Sequence, residues 1–236
     1  MDSAPDPREA GSPPPRSRIR TVLFDLDGTI ADTAPDMAHA INEILRESGR
    51  EPLPLEALRP HTSHGSRGLI QRAFGFAEED ERFAALRQRF LDLYSDHLAV
   101  HTRLFTDVEE LLTALENRGY RWGIVTNKPA WLTDPLVEKL GLAQRAACVV
   151  SGDTAARSKP HPDPLHHACE LLACDPEECL YVGDAERDII AGRSAGMATL
   201  VAGFGYIHRD ETPEEWGADG IVDSPRGVLE WLSHDT

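Results

Sequence analysis

The sequence predicts an α/β protein: a parallel sheet flanked by helices, with a block of helices inserted after the first strand. Three observations carry this. From Leu104 onward, short apolar runs that read as buried strands alternate with helical patterns, and that alternation implies βαβ units with both sheet faces covered. One more apolar run, Val22-Leu23-Phe24, stands near the start of the chain. Between them lie about 70 residues of helical spacing with no convincing strand.

Taken in order, residues 1–18 are rich in Pro, Ser and charge and read as a disordered tail. The first strand is expected at 21–26, delivering Asp25 and Asp27 before Gly28 turns the chain. A helix at 37–48 places Ile41, Ile44 and Leu45 at helical spacing, and Gly49 stops it. A Pro-rich turn follows at 51–54. Helices are then expected at 65–74 and at 79–100, the latter with Phe83, Leu86, Phe90, Leu93 and Leu98 toward one face. The helical unit is thus bounded at 35–100, and the sheet domain is assembled from 19–34 and 101–236. In that second part the reading is helix 107–118, strand 120–126, helix 132–140, strand 146–151 and helix 164–173. Strand 179–183, helix 187–195, strand 197–202, a short strand at 220–222 and a terminal helix at 226–232 complete it.

The 236 residues carry 24 Lys+Arg against 40 Asp+Glu, a net charge of −16. A field of that sign repels nucleic acid and anionic membrane, so neither is an expected partner. It leaves room for a small anionic substrate, because a cation or a few basic groups invert the potential inside a cleft. No apolar run approaches the roughly 20 residues of a membrane span, and the first residues lack the apolar stretch of a signal peptide. Cytoplasmic location is the expectation, as a monomer or homodimer. The four cysteines, Cys148, Cys169, Cys174 and Cys179, form no CxxC pair and read as buried reduced thiols.

In open α/β sheets the working site lies beyond the carboxyl ends of the strands. The first expected strand ends in Asp25-Leu26-Asp27-Gly28-Thr29, and the next sheet strand in Thr126-Asn127-Lys128. The loop before 164 carries Ser158-Lys159-Pro160, and a later strand ends in Gly183-Asp184 with Asp188 four residues on. Asp25 and Asp27, at i and i+2, project to one face of a strand, where two anions repel unless a cation or proton intervenes. Asp184 and Asp188 repeat the problem at i and i+4. Four carboxylates on one rim make sense around a hard cation such as Mg²⁺, which takes one or two of them and keeps its other positions for water and phosphate oxygens. Thr126 and Lys159 then offer a hydroxyl and a fixed positive charge to those oxygens. A carboxylate nucleophile beside a metal, with a Lys to neutralise charge, fits phosphoryl transfer through an aspartyl-phosphate.

The order DLDGT, TN, a lone Lys and GDxxxD resembles the four motifs of the haloacid-dehalogenase superfamily of phosphatases. The resemblance covers the chain from about residue 19 and implies a Rossmann-like core with an α-helical cap. It also implies roles. Asp25 would attack phosphorus, and Asp27 would protonate the leaving oxygen and then activate water. Thr126 and the backbone at Asn127 would bind the phosphoryl group, with Lys159 steadying it. Mg²⁺ would be held by Asp25, the backbone carbonyl of Asp27 and Asp184, with Asp188 orienting waters or Lys159 from behind. Within the superfamily the chain is similar to two neighbouring groups, the phosphoglycolate phosphatases and the N-acetylmuramic acid 6-phosphate phosphatases of peptidoglycan recycling. HTSHGSRG at 61–68, VHTRLF at 100–105, WGIVTNKP at 122–129, RSKP at 157–160 and GYIH at 205–208 look closer to the second. A sugar phosphomutase and a receiver-like phosphoacceptor module are the alternatives; Asp27 and the helical insertion argue against the receiver.

The segment HTSHGSRG has its own physical reading. Gly65 and Ser66 open a helix whose free N–H groups can receive an anion, and Arg67 offers a two-bond clamp for a carboxylate. Both groups' substrates carry one. His61, His64, His166 and His167 match no metal spacing and read as polar surface. Trp122, Trp131 and Met197 read as packing or loop residues, and GFGY at 203–206 departs from the dinucleotide-binding pattern.

Overall fold

The computed structural model describes residues 16–233. Its core is the expected parallel sheet, with six strands in the order β5-β4-β1-β6-β7-β8. These are β1 (Thr21–Phe24), β4 (Arg121–Val125), β5 (Val149–Val150), β6 (Cys179–Gly183), β7 (Ala198–Ala202) and β8 (Gly220–Val222). β1, β6 and β7 are buried at every position, as strands covered on both faces must be, which explains their unbroken apolar runs. Helices α5 (Val108–Asn117), α6 (Ala130–Lys139), α7 (Asp163–Leu172), α8 (Glu186–Ser194) and α9 (Pro225–Ser233) alternate with them.

The inserted helical block comprises α1 (Ala34–Glu47), the short α2 (Leu55–Leu58), a 3-10 segment at Arg59–His64, α3 (Gly65–Phe74) and α4 (Phe83–Asp96). Met37, Ile41 and Ile44 of α1 join Leu58, Leu69, Ile70, Phe90 and Tyr94 in one apolar cluster. The Asn42 amide both accepts from Leu53 N–H (2.8 Å) and donates to Leu53 O (2.9 Å), fixing the turn after α1. The third helix starts at 83 rather than 79, and the strands expected at 21–26 and 146–151 are shorter than the apolar runs that announced them.

Two strands escaped the sequence reading. β2 (Ala31–Asp32) and β3 (Arg103–Leu104) pair antiparallel where the chain leaves and re-enters the sheet domain. Two residues each show no alternation to detect. Beside them the buried Asp36 accepts from His101 N–H (2.9 Å), Thr102 N–H (2.9 Å) and the Thr102 hydroxyl (2.7 Å), so the first turn of α1 holds the returning strand. Asp32 ties the same junction, accepting from Arg59 (2.7 Å) and from the Tyr206 hydroxyl (2.7 Å).

The tail reading needs a correction at its end. Residues 16–18 form a 3-10 turn, with the Arg16 guanidinium 4.2 Å from the centre of the Trp231 ring on α9. A cation over an aromatic face docks this stretch on the core; residues 1–15 lie outside the described residues. No helix among the described residues is long and apolar enough to cross a membrane.

Candidate active site

Strand register brings the chemistry level. Phe24 of β1 stands opposite Ile124 of β4 and Val182 of β6. Asp25 therefore emerges beside Val125 and Gly183, with Thr126 and Asp184 one step further along the same rim, at the carboxyl ends of the parallel strands.

Lys159 sits at the centre. Its side chain is fully buried, with Nζ 3.0 Å from Asp25 Oδ1 and 2.8 Å from Asp188 Oδ1. It donates to the Val125 carbonyl (3.0 Å) and to the Tyr181 hydroxyl (2.6 Å), which in turn donates to Val125 O (2.8 Å). Asn127 positions the Lys159 segment with its side chain, accepting from Lys159 N–H (3.0 Å) and donating to Lys159 O (2.9 Å). The buried Thr126 hydroxyl accepts from Lys128 N–H at 3.2 Å.

Carboxylate oxygens of Asp25, Asp184 and Asp188 all lie within 4.8 Å of one another, and all three residues are buried. Asp184 Oδ2 accepts from Tyr206 N–H (2.9 Å) and the Ser63 hydroxyl (2.7 Å). Its Oδ1 is buried with no hydrogen-bond partner among the described residues. Burial, and after it the charges of Asp25 and Asp188, push the Asp184 carboxyl from 3.8 to about 7. Burial likewise raises Asp188, with Lys159 opposing, while Asp188 Oδ2 accepts from Ala185 N–H (3.1 Å). Three mutually repelling buried acids with an orphan oxygen fit a hard divalent cation, which would satisfy that oxygen and relieve the repulsion. Asp188 stands among these acids as well as behind Lys159. Two glycines permit the packing. Gly28, at φ +87°, and Gly205 both press on Asp184, and a Cβ on either would collide with that side chain.

The Asp27 carboxylate is not among these three. Lys128 Nζ contacts both its oxygens at 2.9 Å, and the Thr33 hydroxyl donates to Oδ1 at 2.6 Å. The two acids of DLDGT are thus separated by giving each its own ammonium, and only the backbone carbonyl of Asp27 is left for a cation. Burial pulls the Lys128 ammonium down, but Asp27 and Tyr94 outweigh it and leave Lys128 above its usual value. Sequence reasoning missed Lys128, although it directly follows Thr126-Asn127 at the same strand end.

Above the rim lies a cavity of about 570 Å³ shared with the helical block. Asp25, Asp27, Thr126, Asn127, Lys128 and Lys159 line it from the sheet, and Gly65, Ser66, Arg67, Phe90, Leu91 and Tyr94 from the block. The start of α3 faces the cavity, whereas the Arg67 side chain is largely exposed with Glu78 3.8 Å away. A different arginine makes the firm contact. Arg187 Nη2 donates to Ser63 O at 2.6 Å, while the Ser63 hydroxyl donates to Asp184. The 3-10 segment is thereby latched to the acidic cluster from both sides. Arg187 also contacts His64 Nδ1 at 3.5 Å, and burial, with Arg187 beside it, lowers the His64 imidazole. Arg187 lies inside GDxxxD, where sequence reasoning gave it no role. Tyr206 left a trace in the GYIH stretch, but not of its contact with Asp184.

Comparison with known proteins places the chain in a family. A family model described as haloacid dehalogenase-like hydrolase matches residues 22–202. The N-acetylmuramic acid 6-phosphate phosphatase of Pseudomonas aeruginosa is 44% identical over 92% of this chain and 96% of that protein. A phosphoglycolate phosphatase of Xanthomonas campestris is 45% identical over 89% of this chain and 95% of that protein. A crystal structure of a predicted phosphoglycolate phosphatase from Haemophilus somnus superposes with a TM-score of 0.79 at 28% identity, covering 91% of this chain and 98% of that one. With strand ends, buried acids and central lysine disposed as described, the chain belongs to the haloacid dehalogenase-like hydrolases.

Proposed function

We propose that this protein is a Mg²⁺-dependent phosphatase that cleaves N-acetylmuramic acid 6-phosphate through an aspartyl-phosphate on Asp25, with residues 35–100 acting as its cap. The observation that carries the reading is the Asp25 carboxylate, buried at the carboxyl end of β1, 3.0 Å from the Lys159 ammonium and facing the cavity. Bound at Asp25, Asp184 and the Asp27 carbonyl, with Asp188 beside them, Mg²⁺ would polarise phosphoryl oxygens and neutralise charge.

The chain's own groups supply the rest. An Asp25 oxygen attacks phosphorus, and the bond from phosphorus to the substrate oxygen breaks. Asp27 delivers a proton to that departing oxygen. Lys159, the Thr126 hydroxyl and the backbone at Asn127 hold the transferring oxygens, a fixed electrostatic frame of the kind that contributes most to such reactions. In the second step Asp27 takes a proton from water. The resulting hydroxide attacks phosphorus, and the bond to Asp25 breaks to release phosphate. The two-oxygen contact from Lys128 fixes the position of the Asp27 carboxyl for both proton transfers. The hydrogen bonds of Ser63 and Arg187 tie the 3-10 segment of the helical block to the acidic cluster.

Cavity shape supports the sugar substrate. Phe90, Leu91, Tyr94 and Leu132 provide apolar wall for a hexose ring, and the start of α3 provides N–H groups for its carboxylate. A two-carbon acid would leave most of about 570 Å³ unfilled. 2-Phosphoglycolate is the second reading, favoured by relatives of that name at equal identity. A reducing cytoplasm suits the four free cysteines.

Turnover of p-nitrophenyl phosphate with and without Mg²⁺ tests the class; no turnover in either condition refutes it. The Asp27→Asn variant, given radiolabelled substrate, should accumulate label that hydroxylamine removes. Unlabelled protein with normal steady-state turnover would overturn the aspartyl-phosphate route.

A further inference from the structure

All four cysteines of the chain gather on one side of the sheet, at the end of the strands remote from the acids. Cys148 precedes β5, Cys169 lies in the last turn of α7, Cys174 follows that helix and Cys179 opens β6. They share one buried cluster beneath α7, with Cys174 at its half-buried edge. Along β6, Cys179 is four residues from Gly183, about 13 Å at the rise of a strand.

Three of these thiols are close enough to act together. Cys169 and Cys179 sulfurs are 3.8 Å apart, Cys174 and Cys179 sulfurs 3.6 Å apart, and all three sulfurs fall within 4.8 Å of one another. Zinc–sulfur bonds of about 2.3 Å in a tetrahedron put neighbouring sulfurs ~3.8 Å apart. Two of the three edges already have that length. A shallow groove opens the cluster to solvent, lined by Cys169, Cys174 and His166. His166, one turn before Cys169 on α7, is exposed and lines the same groove, outside the 4.8 Å within which the three sulfurs gather. Three cysteines and one histidine are a common ligand set of closed zinc sites. In the sequence the same residues looked unconnected, because a helix and a strand bring the spacing C-x4-C-x4-C together in three dimensions.

We propose that Cys169, Cys174 and Cys179, with His166 completing the set, form a site for a thiophilic cation of the Zn²⁺ type. It is separate from the carboxylate site, which offers hard oxygen ligands that favour Mg²⁺ over a soft ion. On binding, each coordinating thiol gives its proton to solvent and the metal replaces it. The site staples the end of α7 and the loop after it to the start of β6. Tyr181 lies two residues beyond Cys179 on the same face of β6 and hydrogen-bonds Lys159, so the staple also buttresses the strand that supports the lysine.

The test is a Co²⁺ titration of the reduced full-length protein with the carboxylate site saturated by millimolar Mg²⁺. Thiolate ligation gives a near-ultraviolet charge-transfer band that carboxylates do not, saturating at one equivalent per chain and bleached by Zn²⁺. Cys174→Ser, at the half-buried edge, should weaken binding by more than the roughly 10- to 100-fold typical of losing a supporting partner, and Cys148→Ala should leave it unchanged. Independently of any variant, Zn²⁺ should slow alkylation of Cys174 in the wild-type protein. Absence of the band, a band that persists at full affinity in Cys174→Ser, or alkylation indifferent to Zn²⁺ overturns the proposal.

Discussion

Replacing Asp184 with Asn removes a charge that the metal-free fold resists. In the unfolded chain this carboxyl ionises near 3.8, while in the folded protein burial, Asp25 and Asp188 hold the proton until about 7. Below the lower value both states are protonated and Asp184 costs nothing. As pH rises through the higher value the folded state must ionise it, and stability is lost. The interval corresponds to about 4 kcal/mol at 1.36 kcal/mol for each tenfold change. Asn is nearly isosteric, keeps an oxygen for Ser63 and Tyr206, and never ionises. In chelator, urea unfolding at about pH 8 should therefore show Asp184→Asn more stable than wild type by roughly 2–4 kcal/mol, with the gap closing toward about pH 4. Excess Mg²⁺ should raise wild type and leave the variant nearly unmoved, by mass action on a site the variant lacks. Activity should fall with the gain in stability. A variant less stable than wild type at about pH 8 in chelator would refute the reasoning, since Asp184 would then be held by favourable contacts and not strained by repulsion.

Asp25→Asn should reduce kcat by roughly 10⁴-fold or more while the folding transition is retained; near-normal kcat would remove Asp25 from the nucleophile's role. Lys128→Met should cut kcat by about 10²-fold or more, the usual range for a displaced acid–base group, because among the described residues Asp27 keeps only Thr33 as a hydrogen-bond partner for its carboxylate. Unchanged steady-state kinetics would show that Lys128 merely fills space. Asp36→Ala leaves the two buried donors of Thr102 and the half-buried N–H of His101 unpaired, so denaturant unfolding should show a loss of roughly 2–4 kcal/mol. A change below about 0.5 kcal/mol, the range of ordinary surface substitutions, would mean that this junction is not held by Asp36.

Why some of the site was readable in the sequence and some was not follows from how each part is specified. Buried parallel strands must be apolar throughout, so their ends are marked wherever polar residues begin; Asp25, Thr126 and Asp184 stand at such ends. The glycines that punctuate helices gave the element order. Lys159 was recognisable only by its place between marked strands, because a single lysine in a loop carries no local pattern. Partners assembled from distant segments left no such mark. Ser63 meets Asp184 across 121 residues and Lys128 meets Asp27 across 101, and no local periodicity encodes those meetings. The β2–β3 ribbon is too short to alternate, and the thiol cluster joins a helix end, a loop and a strand start. Arg67 and Arg187 illustrate the limit from both sides. The motif at the start of α3 drew attention to Arg67, yet its side chain is exposed, while the half-buried contact to Ser63 belongs to Arg187.

The central claim is that the acids and lysines on this rim, under a cavity with an apolar wall, hydrolyse a carboxylate-bearing sugar phosphate with Mg²⁺. Its most direct test is kcat/KM for N-acetylmuramic acid 6-phosphate and 2-phosphoglycolate, measured side by side with Mg²⁺ and with chelator. Both substrates should turn over in a Mg²⁺-dependent way, with the sugar phosphate preferred by at least about 1.4 kcal/mol, a tenfold ratio. A preference for 2-phosphoglycolate of that size would contradict the substrate assignment, and full activity in chelator would contradict the chemistry.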